Sequence, residues 1–342
     1  MRARAILAAG LLFVMPLALR PSPAAAVTKV PVSFTVTNPG DPGNGSYTVK
    51  GFLMRPDGCT SSSVLLALHG LSYGQWAWDF PVDGYSVAQA LAARGYSMIA
   101  IDELGYGTSA GDEDTAQTQP NGYTLSVEAY ADMTAQIISQ IRGGGSYGGP
   151  AFTRVGVIGH SAGSEIAELT TELYPDLVDA LIATAYTHEP FVNNDWLQRE
   201  WFQDNIRAAQ DDYEYFETSE QIRADDMYNN VPAFADKAVV DLDNRMANLT
   251  PSGEVFSIGS QPSRFALATI KKPVLLLLAE RDTLFPGSFG ESELQYFSGT
   301  PDTTLKILPD AGHVFMLHKN AAVGNDMIAD WLDARPAAVP SC

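Results

Sequence analysis

Two serines in the sequence lie at the centre of a G-x-S-x-G pattern, the local signature of a nucleophilic serine. Ser161 occupies that position in "GHSAG", and Ser109 occupies it in "GTSAG". A serine that projects from a tight turn between a strand and a helix can attack a carbonyl carbon and form an acyl intermediate. The chemistry to consider is therefore acyl transfer, and the two candidates must be separated by their surroundings.

The two serines differ in the elements that flank them. Ser161 directly follows the apolar run "RVGVIG" and opens the helical pattern "SAGSEIAELTTELYP", so strand, turn and helix come in the order that the motif needs. Ser109 lies in the glycine-rich, acidic stretch "ELGYGTSAGDED", with no strand-like run leading directly into it and no clear helical pattern after it. We expect Ser161 to be the nucleophile and the glycines around Ser109 to form turns.

A nucleophilic serine needs a base, because an unassisted hydroxyl is barely reactive at neutral pH. Of the five histidines, His313 is the predicted base, because it follows "TLKILP", the last of the predicted core strands. His160 is too close in sequence to reach round to the neighbouring hydroxyl. The other three, His69, His188 and His318, belong to an early loop, to the start of an insertion and to the final helical region.

An acid must orient the imidazole of the base and stabilise its protonated form. Asp282 lies just past the apolar run "PVLLLLAE" and is the predicted partner. Glu280, which still belongs to the strand end, and Asp310, which is better suited to a turn, are the alternatives. The chain order Ser161, Asp282, His313 is the order found in one class of α/β folds.

The oxyanion of an acyl-transfer reaction needs two fixed N–H donors. One should be the backbone N–H of Ala162, directly after the nucleophile, and the other that of Leu71, in the loop after "SVLLALHG". Aromatic side chains of that loop, together with the histidine beside the nucleophile, are candidates for lining the substrate pocket, although loop aromatics often only anchor a loop. These candidates are Tyr73, Trp76, Trp78 and His160.

The elements that must position these residues are short apolar runs separated by helical patterns. The runs are "SVLLALHG", "YSMIAID", "RVGVIG", "ALIATAY", "PVLLLLAE" and "TLKILP", and helical patterns cover 126–142, 161–175 and 321–334. Such runs are typical of strands buried on both faces, and their alternation with helices predicts a mostly parallel sheet with helices on both faces. "SYTVKGFLMRP" predicts a strand of an opening antiparallel pair.

One long stretch, 189–265, interrupts this alternation. It contains no strand-like run, is rich in aromatic residues and carries fifteen acids against six lysines and arginines. An insertion of this length between two core strands favours a helical cap or lid over a pocket. The alternative is a set of helices packed on the core with solvated acidic faces.

Together these motifs resemble the alpha/beta-hydrolase superfamily, in its serine-hydrolase branch. The resemblance covers about 45–335 and rests on "LHGLSYG", "DELGYGTS", "GHSAG", "AERD" and "AGH", in that order. It implies a mostly parallel sheet of about eight strands, a cap after strand six, and no cofactor or metal. The expected domains are a core formed by 27–188 and 266–342 with a cap at 189–265. "DELGYGTS" resembles the turn after the fourth strand, which gives Ser109 a structural role. The oxyanion loop is "HGLS", not the HGGG of one esterase branch.

The first 26 residues indicate a secretory signal peptide and not part of the fold. Two arginines precede an apolar run, and three alanines follow as a cleavage signal. The run is short and interrupted by Pro16, which disfavours a retained membrane anchor. Removal of three arginines with this segment changes the net charge from −19 to −22. We therefore expect a secreted protein with no affinity for nucleic acid and no stable membrane association.

The chain has two cysteines, Cys59 and the last residue, Cys342. In an exported protein a pair of thiols is more often bridged than free, so a disulfide between the C-terminal tail and the loop before an early strand is expected. The alternative is two unpaired thiols.

The reaction expected from these residues is hydrolysis of a moderately apolar carboxylic ester or lactone, a small-molecule substrate, through an acyl-serine intermediate. A peptidase or amidase and an acyltransferase are the alternatives among enzymes. A catalytically silent binding protein on the same scaffold is the alternative from another class.

Overall fold

The computed structural model describes residues 26–41, 43, 45–111, 117–189, 203, 207, 214–220, 223–229 and 233–342. Residues 1–25 of the predicted signal peptide and much of the predicted cap therefore lie outside the described residues. The strands are β1 (Val27–Thr37), β2 (Ser46–Pro56), β3 (Ser63–Leu68), β4 (Met98–Ile101), β5 (Arg154–His160), β6 (Ala180–Thr184), β7 (Tyr215–Phe216), β8 (Thr250–Pro251), β9 (Val274–Ala279) and β10 (Thr303–Leu308).

Eight of these strands form one sheet, in the spatial order β1-β2-β4-β3-β5-β6-β9-β10. β2 is antiparallel to both of its neighbours, β1 and β4, and the other neighbouring pairs are parallel. The central strands β3, β4, β6 and β9 are buried along their whole length, as their continuous apolar runs require. The predicted fold class and the opening antiparallel pair are confirmed.

The helices of the described residues cover the sheet. They are α1 (Val87–Ala93), α2 (Val127–Gly143), α3 (Ala162–Leu173), α4 (Lys237–Met246), α5 (Ser252–Ile258), α6 (Gly290–Glu293) and α7 (Ala321–Asp333). α2 packs on α3, and α1 packs on α7, so that helices lie on both faces of the sheet. Over the described part of the chain, no helix is both long and apolar enough to pass through a bilayer.

The register of the parallel strands brings their carboxyl ends to one edge of the sheet. Leu68 of β3 lies opposite Gly159 of β5, and His160 lies opposite Thr184 of β6. In the last pair of the sheet, Ala279 of β9 lies opposite Leu308 of β10. Residues that follow β3, β5, β9 and β10 in sequence therefore meet above the same edge, where α/β sheets place their sites.

The predicted cap is described in part. β7 and β8 pair antiparallel, so the prediction of no strand in this stretch is wrong for these short segments, whereas α4 and α5 are helices. The two ends of the insertion are joined by a buried bond of 3.0 Å between His188 Nε2 and Ser263 Oγ. Glu293 accepts bonds from His188 Nδ1 at 2.6 Å and from its backbone N–H at 2.8 Å. The domain boundaries themselves stay a prediction.

Cys59 and Cys342 form a disulfide, with their Cα atoms 5.3 Å apart. The tail is also held by hydrogen bonds, since Cys342 N–H donates to Gly95 O at 2.8 Å and Ser61 Oγ donates to Pro340 O at 2.8 Å. The bond joins residues 283 positions apart, so it links the first part of the sheet to the end of the chain. This is the pairing that the two cysteines predicted.

Removing this cross-link should destabilise the protein without changing its fold. A Cys59→Ser/Cys342→Ser variant should lose about 2–4 kcal/mol of unfolding free energy, because the unfolded chain regains the freedom of a long loop. Urea unfolding of the two proteins measures the difference. Equal midpoints for the variant and the parent protein would contradict a stabilising bond.

Candidate active site

Ser161 lies at the junction of β5 and α3 in a conformation that few non-glycine residues adopt. Its backbone has φ 55° and ψ −123°, which costs about 1–3 kcal/mol and is typical of functional positions. Gly159 and Gly163 make this turn possible. A Cβ at Gly159 would lie 2.2 Å from the carbonyl oxygen of Gly163, and one at Gly163 would lie 2.4 Å from that of His69. The turn therefore excludes side chains on both sides of Ser161.

Ser161, His313 and Asp282 form one hydrogen-bonded chain. Ser161 Oγ lies 2.8 Å from His313 Nε2, and His313 Nδ1 lies 2.9 Å from Asp282 Oδ2. Because a carboxylate accepts, Nδ1 carries the proton and the Nε2 lone pair faces the serine hydroxyl. All three residues are buried, and Ser161 is 8% exposed. The structure thus brings together the three residues that the sequence singled out.

The second carboxylate oxygen of Asp282 also accepts hydrogen bonds. Asp282 Oδ1 accepts hydrogen bonds from the backbone N–H groups of Leu284 at 2.8 Å and Phe285 at 2.9 Å. The carboxylate therefore cannot rotate away from His313 without losing two bonds. This fixes the imidazole as well, because its orientation depends on the Nδ1 bond.

The alternative residues are engaged elsewhere. Ser109 is buried, donates to Asp102 O at 2.7 Å and accepts from Lys50 N–H at 2.8 Å, so its hydroxyl serves the loop after β4. Glu280 accepts from the backbone N–H of Asp310 at 3.1 Å, and both acids lie at the surface.

The other histidines have structural partners. His69 Nδ1 donates to Gly70 O at 2.9 Å, and its Nε2 accepts from Glu103 N–H at 3.1 Å. Burial lowers the pKa of His69 to about 4, so this ring is neutral and braces the loop after β3. His318 Nε2 accepts from Gly312 N–H at 2.8 Å, next to His313 in sequence.

The two predicted oxyanion donors belong to backbone segments that adjoin Ser161. A Cβ on Gly70 would lie 2.9 Å from Ser161 Cβ, so the backbone leading to Leu71 passes directly against Ser161. Ala162 is the first residue of α3, where N–H groups have no partner within the helix. Within the described residues neither N–H donates to another backbone group. Their role as oxyanion donors stays a prediction.

A narrow cavity of about 10 Å³ lies over Ser161, which is room for about one water molecule. In the described part of the chain it is lined by Gly70, Leu71, Tyr73, Ser161, Met227, Ile258, Leu284, Phe285 and His313. Its walls are largely apolar.

Only Tyr73 of the predicted pocket residues lines this cavity, so the prediction needs correction for the other three. Trp78 is fully buried in the core. Trp76 packs against Phe80 and lines a separate groove. His160 does not line the cavity: its ring centre lies 5.2 Å from that of His313, and its Nδ1 lies 3.2 Å from Thr184 Oγ1. The loop aromatics mostly anchor the loop, which was the alternative interpretation.

Four residues that line the cavity were not predicted from the sequence. Leu284 and Phe285 could have been found from Asp282, because a residue just past an orienting carboxylate must lie near the site. Met227 and Ile258 belong to the predicted cap. No periodicity distinguishes them from their neighbours, so no sequence signal pointed to them.

Comparison with known proteins decides the family. A model of the alpha/beta hydrolase family matches residues 64–324, most of the chain. The chain belongs to the alpha/beta hydrolase family.

Individual relatives of this alpha/beta hydrolase are distant. A Bacillus subtilis (strain 168) protein named for 2-succinyl-6-hydroxy-2,4-cyclohexadiene-1-carboxylate synthase activity is 24% identical over 274 residues, 77% of this chain and 88% of that protein. A thermophilic esterase from Thermogutta terrifontis is 17% identical, with a TM-score of 0.59 over 88% of this chain and 98% of that chain. A monoacylglycerol lipase from Paleococcus ferrophilus is 15% identical, with a TM-score of 0.58 over 90% and 99% of the two chains. At such identities the likeness shows the fold, and the substrate must be argued from the site.

Several buried carboxyl groups of this alpha/beta hydrolase have raised pKa values. Burial, and the charge of Glu254, raise the pKa of Glu103 well above its usual range. Burial raises the pKa of Glu254 to about 8, and its Oε2 accepts a bond from the hydroxyl of Tyr106. Burial raises the pKa of Glu165 and Glu168 on α3 in the same way. Among the described residues no group of three or more His, Cys, Asp or Glu is placed to hold a metal ion.

Replacing Asp282 tests the hydrogen-bonded chain directly. In Asp282→Asn the amide can donate to Nδ1 and favour the wrong imidazole tautomer, so kcat for an activated ester should fall about 10⁴-fold while the protein stays folded. The matched control is Asp310→Asn, a surface change near the same strand ends, which should keep the parent kcat. Loss of activity in the Asp310 variant alone would contradict the assignment.

The raised pKa of Glu254 predicts a stability that falls as pH rises. Between its usual pKa of 4.5 and about 8 this carboxyl is protonated in the folded protein and ionised in the unfolded chain. The folded state then binds more protons, so unfolding free energy decreases with pH across that window. Urea unfolding at about pH 5 and about pH 8 should show the decrease, and Glu254→Gln should reduce it. An equal reduction in Glu291→Gln, which alters an exposed acid, would contradict this cause.

Proposed function

We propose that this chain is an exported serine hydrolase that cleaves a carboxylic ester or lactone through an acyl intermediate on Ser161. The observation that carries the proposal is the hydrogen-bonded chain from Ser161 Oγ to His313 Nε2 and from His313 Nδ1 to Asp282, at 2.8 and 2.9 Å. It sits on a strained turn with the serine facing a cavity. Those are the parts that nucleophilic acyl transfer requires.

In the proposed acylation step, Ser161 Oγ attacks the ester carbonyl carbon while its proton passes to His313 Nε2. The carbonyl π electrons move to oxygen, and Asp282 stabilises the imidazolium that forms. When the tetrahedral intermediate collapses, the bond to the alkoxy group breaks and His313 returns the proton to the leaving alcohol. Water then repeats the sequence on the acyl-serine and releases the acid.

The negative oxygen of the tetrahedral intermediate is assigned to the N–H groups of Leu71 and Ala162. Each such donor contributes about 3 kcal/mol to the transition state of an acyl transfer. Two features support the assignment: Gly70 lies against Ser161, and Ala162 begins α3. The N-terminal end of α3 also places the positive end of a helix dipole beneath the developing charge.

The apolar lining favours an ester of moderate polarity as substrate. Met227, Ile258, Leu284 and Phe285 surround the serine, and such walls bind an acyl or alcohol chain through burial of apolar surface. A peptidase acting at a free N-terminus would need an acid in the lining to bind the amine. The described lining contains no carboxylate, which supports the proposal of an ester over a peptide.

Export is part of the proposal and rests on two features. The first 26 residues have the composition of a signal peptide. The disulfide between Cys59 and Cys342 is the kind of bond that persists in an oxidising compartment.

A serine-directed fluorophosphonate probe on the protein without residues 1–26 tests the nucleophile. Labelling and p-nitrophenyl ester turnover should disappear in Ser161→Ala and persist in Ser109→Ala, because the Ser109 hydroxyl is engaged in the loop after β4. Labelling that survives Ser161→Ala would overturn the assignment. Comparison of p-nitrophenyl esters with aminoacyl anilides tests the substrate class, and a clear preference for anilides would replace the ester by an amide.

A further inference from the structure

The loop that carries Leu71 is a tight turn with an unfavourable residue in its third position. Tyr73 N–H donates to Gly70 O at 3.1 Å, which closes a four-residue turn. Its third residue, Ser72, has φ 66°. Turns of this sign favour glycine or asparagine there, because a Cβ makes the left-handed conformation cost about 1–2 kcal/mol. Something outside the turn must therefore hold Ser72 in place.

Two residues of the predicted cap form hydrogen bonds that fix Ser72 in this conformation. Arg223 Nη1 donates a hydrogen bond to Ser72 Oγ. Asn248 N–H donates to Ser72 O at 2.8 Å, and Asn248 Nδ2 donates to Tyr73 O at 2.7 Å. Both the side chain and the backbone of the strained residue are therefore bonded from across the site.

Arg223 is itself held rigidly. Its Nη2 donates to Asp243 Oδ1 at 2.7 Å, and the exposed fractions of the two residues are 1% and 0%. The guanidinium carbon lies 4.6 Å from the centre of the Tyr73 ring, and the Tyr73 hydroxyl donates to Asp243 Oδ2 at 3.4 Å. A buried ion pair adds little net stability because its charges lose their hydration. Its defined geometry suggests a positioning role.

We infer that Arg223 is a positioning residue for the oxyanion hole, which it serves by holding Ser72 in the left-handed conformation that presents the N–H of Leu71 to Ser161. The inference rests on the proposed function. Without the bond from Arg223, Ser72 can return to negative φ. The bond from Tyr73 N–H to Gly70 O is then lost, and the Gly70–Leu71 peptide, which carries both Gly70 O and the Leu71 N–H, can shift. Oxyanion stabilisation requires a donor nitrogen about 2.7–3.1 Å from the negative oxygen, and a donor displaced in this way no longer lies at that distance.

The effect should fall on kcat and not on KM. An oxyanion donor acts on charge that exists only in the transition state, whereas the binding of the uncharged ester does not use it. A residue that merely stabilised the predicted cap would lower thermal stability or change KM instead.

Two substitutions at Ser72 separate conformation from contact. Ser72→Ala and Ser72→Gly both delete the hydroxyl that Arg223 binds, but glycine takes positive φ without cost. On p-nitrophenyl butyrate we expect kcat to fall about tenfold or more in Ser72→Ala and to stay within about threefold of the parent in Ser72→Gly. The Ki of phenylboronic acid, which forms a tetrahedral adduct on a nucleophilic serine, should rise in Ser72→Ala in proportion.

Arg223→Lys tests the other partner while it keeps a positive charge near Asp243. The lysine ammonium cannot make both the Asp243 and Ser72 bonds in the same geometry, so kcat should fall about tenfold with KM nearly unchanged. In the Ser72→Gly background the same change should cost much less, since the two residues act through one contact. Arg142→Lys is the matched control: Arg142 pairs with Asp179 at the far end of β5, and its replacement should leave kcat unchanged.

The outcomes distinguish a failure of the positioning role from a failure of the proposed function. If the parent protein hydrolyses the ester in a Ser161-dependent way but Ser72→Ala and Ser72→Gly lose kcat equally, or Arg223→Lys keeps its kcat, the positioning role is refuted and the hydrolase stands. If Ser161→Ala keeps the activity of the parent, the proposed function fails and the inference fails with it.

Discussion

The positive-φ conformation of Ser161 is the constraint on which the rest of the site depends. It turns the chain from β5 into α3 within one residue, so the hydroxyl projects above the sheet while α3 begins beneath it. The conformation persists because neighbouring backbone fixes it from both sides: Ser161 N–H donates to Thr184 O at 2.9 Å, and Ser164 N–H donates to Ser161 O at 2.8 Å. Strain of this kind needs a rigid scaffold, and a sheet with buried central strands provides one.

The catalytic geometry that follows is built in layers from parallel strands. β5 leads to Ser161, β9 leads to Asp282 and β10 leads to His313, and their register brings the three side chains to one edge. Backbone N–H groups of Leu284 and Phe285 hold the acid, and the acid holds the imidazole. Because each group is oriented by the next, the proposed proton transfer needs little rearrangement, which is the main source of catalytic power in such sites.

The fold and the triad were predictable because their signals are local. Strands buried on both faces must be apolar along their length, and the residues just past them must be near the edge where chemistry occurs. The pocket was not predictable in the same way. Trp78 looked like a lining residue but is buried in the core, whereas Met227 and Ile258 reach the serine from a stretch without periodicity. Their positions depend on how that stretch folds back on the core, which neighbouring residues do not encode. The hydrogen bond from Arg223 to Ser72 joins residues 151 positions apart, so it also depends on how that stretch folds back on the core.

The central claim is that an acyl group is carried by Ser161. The most direct measurement is rapid acid quenching during turnover of p-nitrophenyl acetate, followed by peptide mass mapping of the protein. We expect an acetyl group on the peptide that contains Ser161, formed at a rate no slower than turnover and lost on further incubation. Acetylation of a different residue at that rate, or full turnover with no acylated peptide, would contradict it.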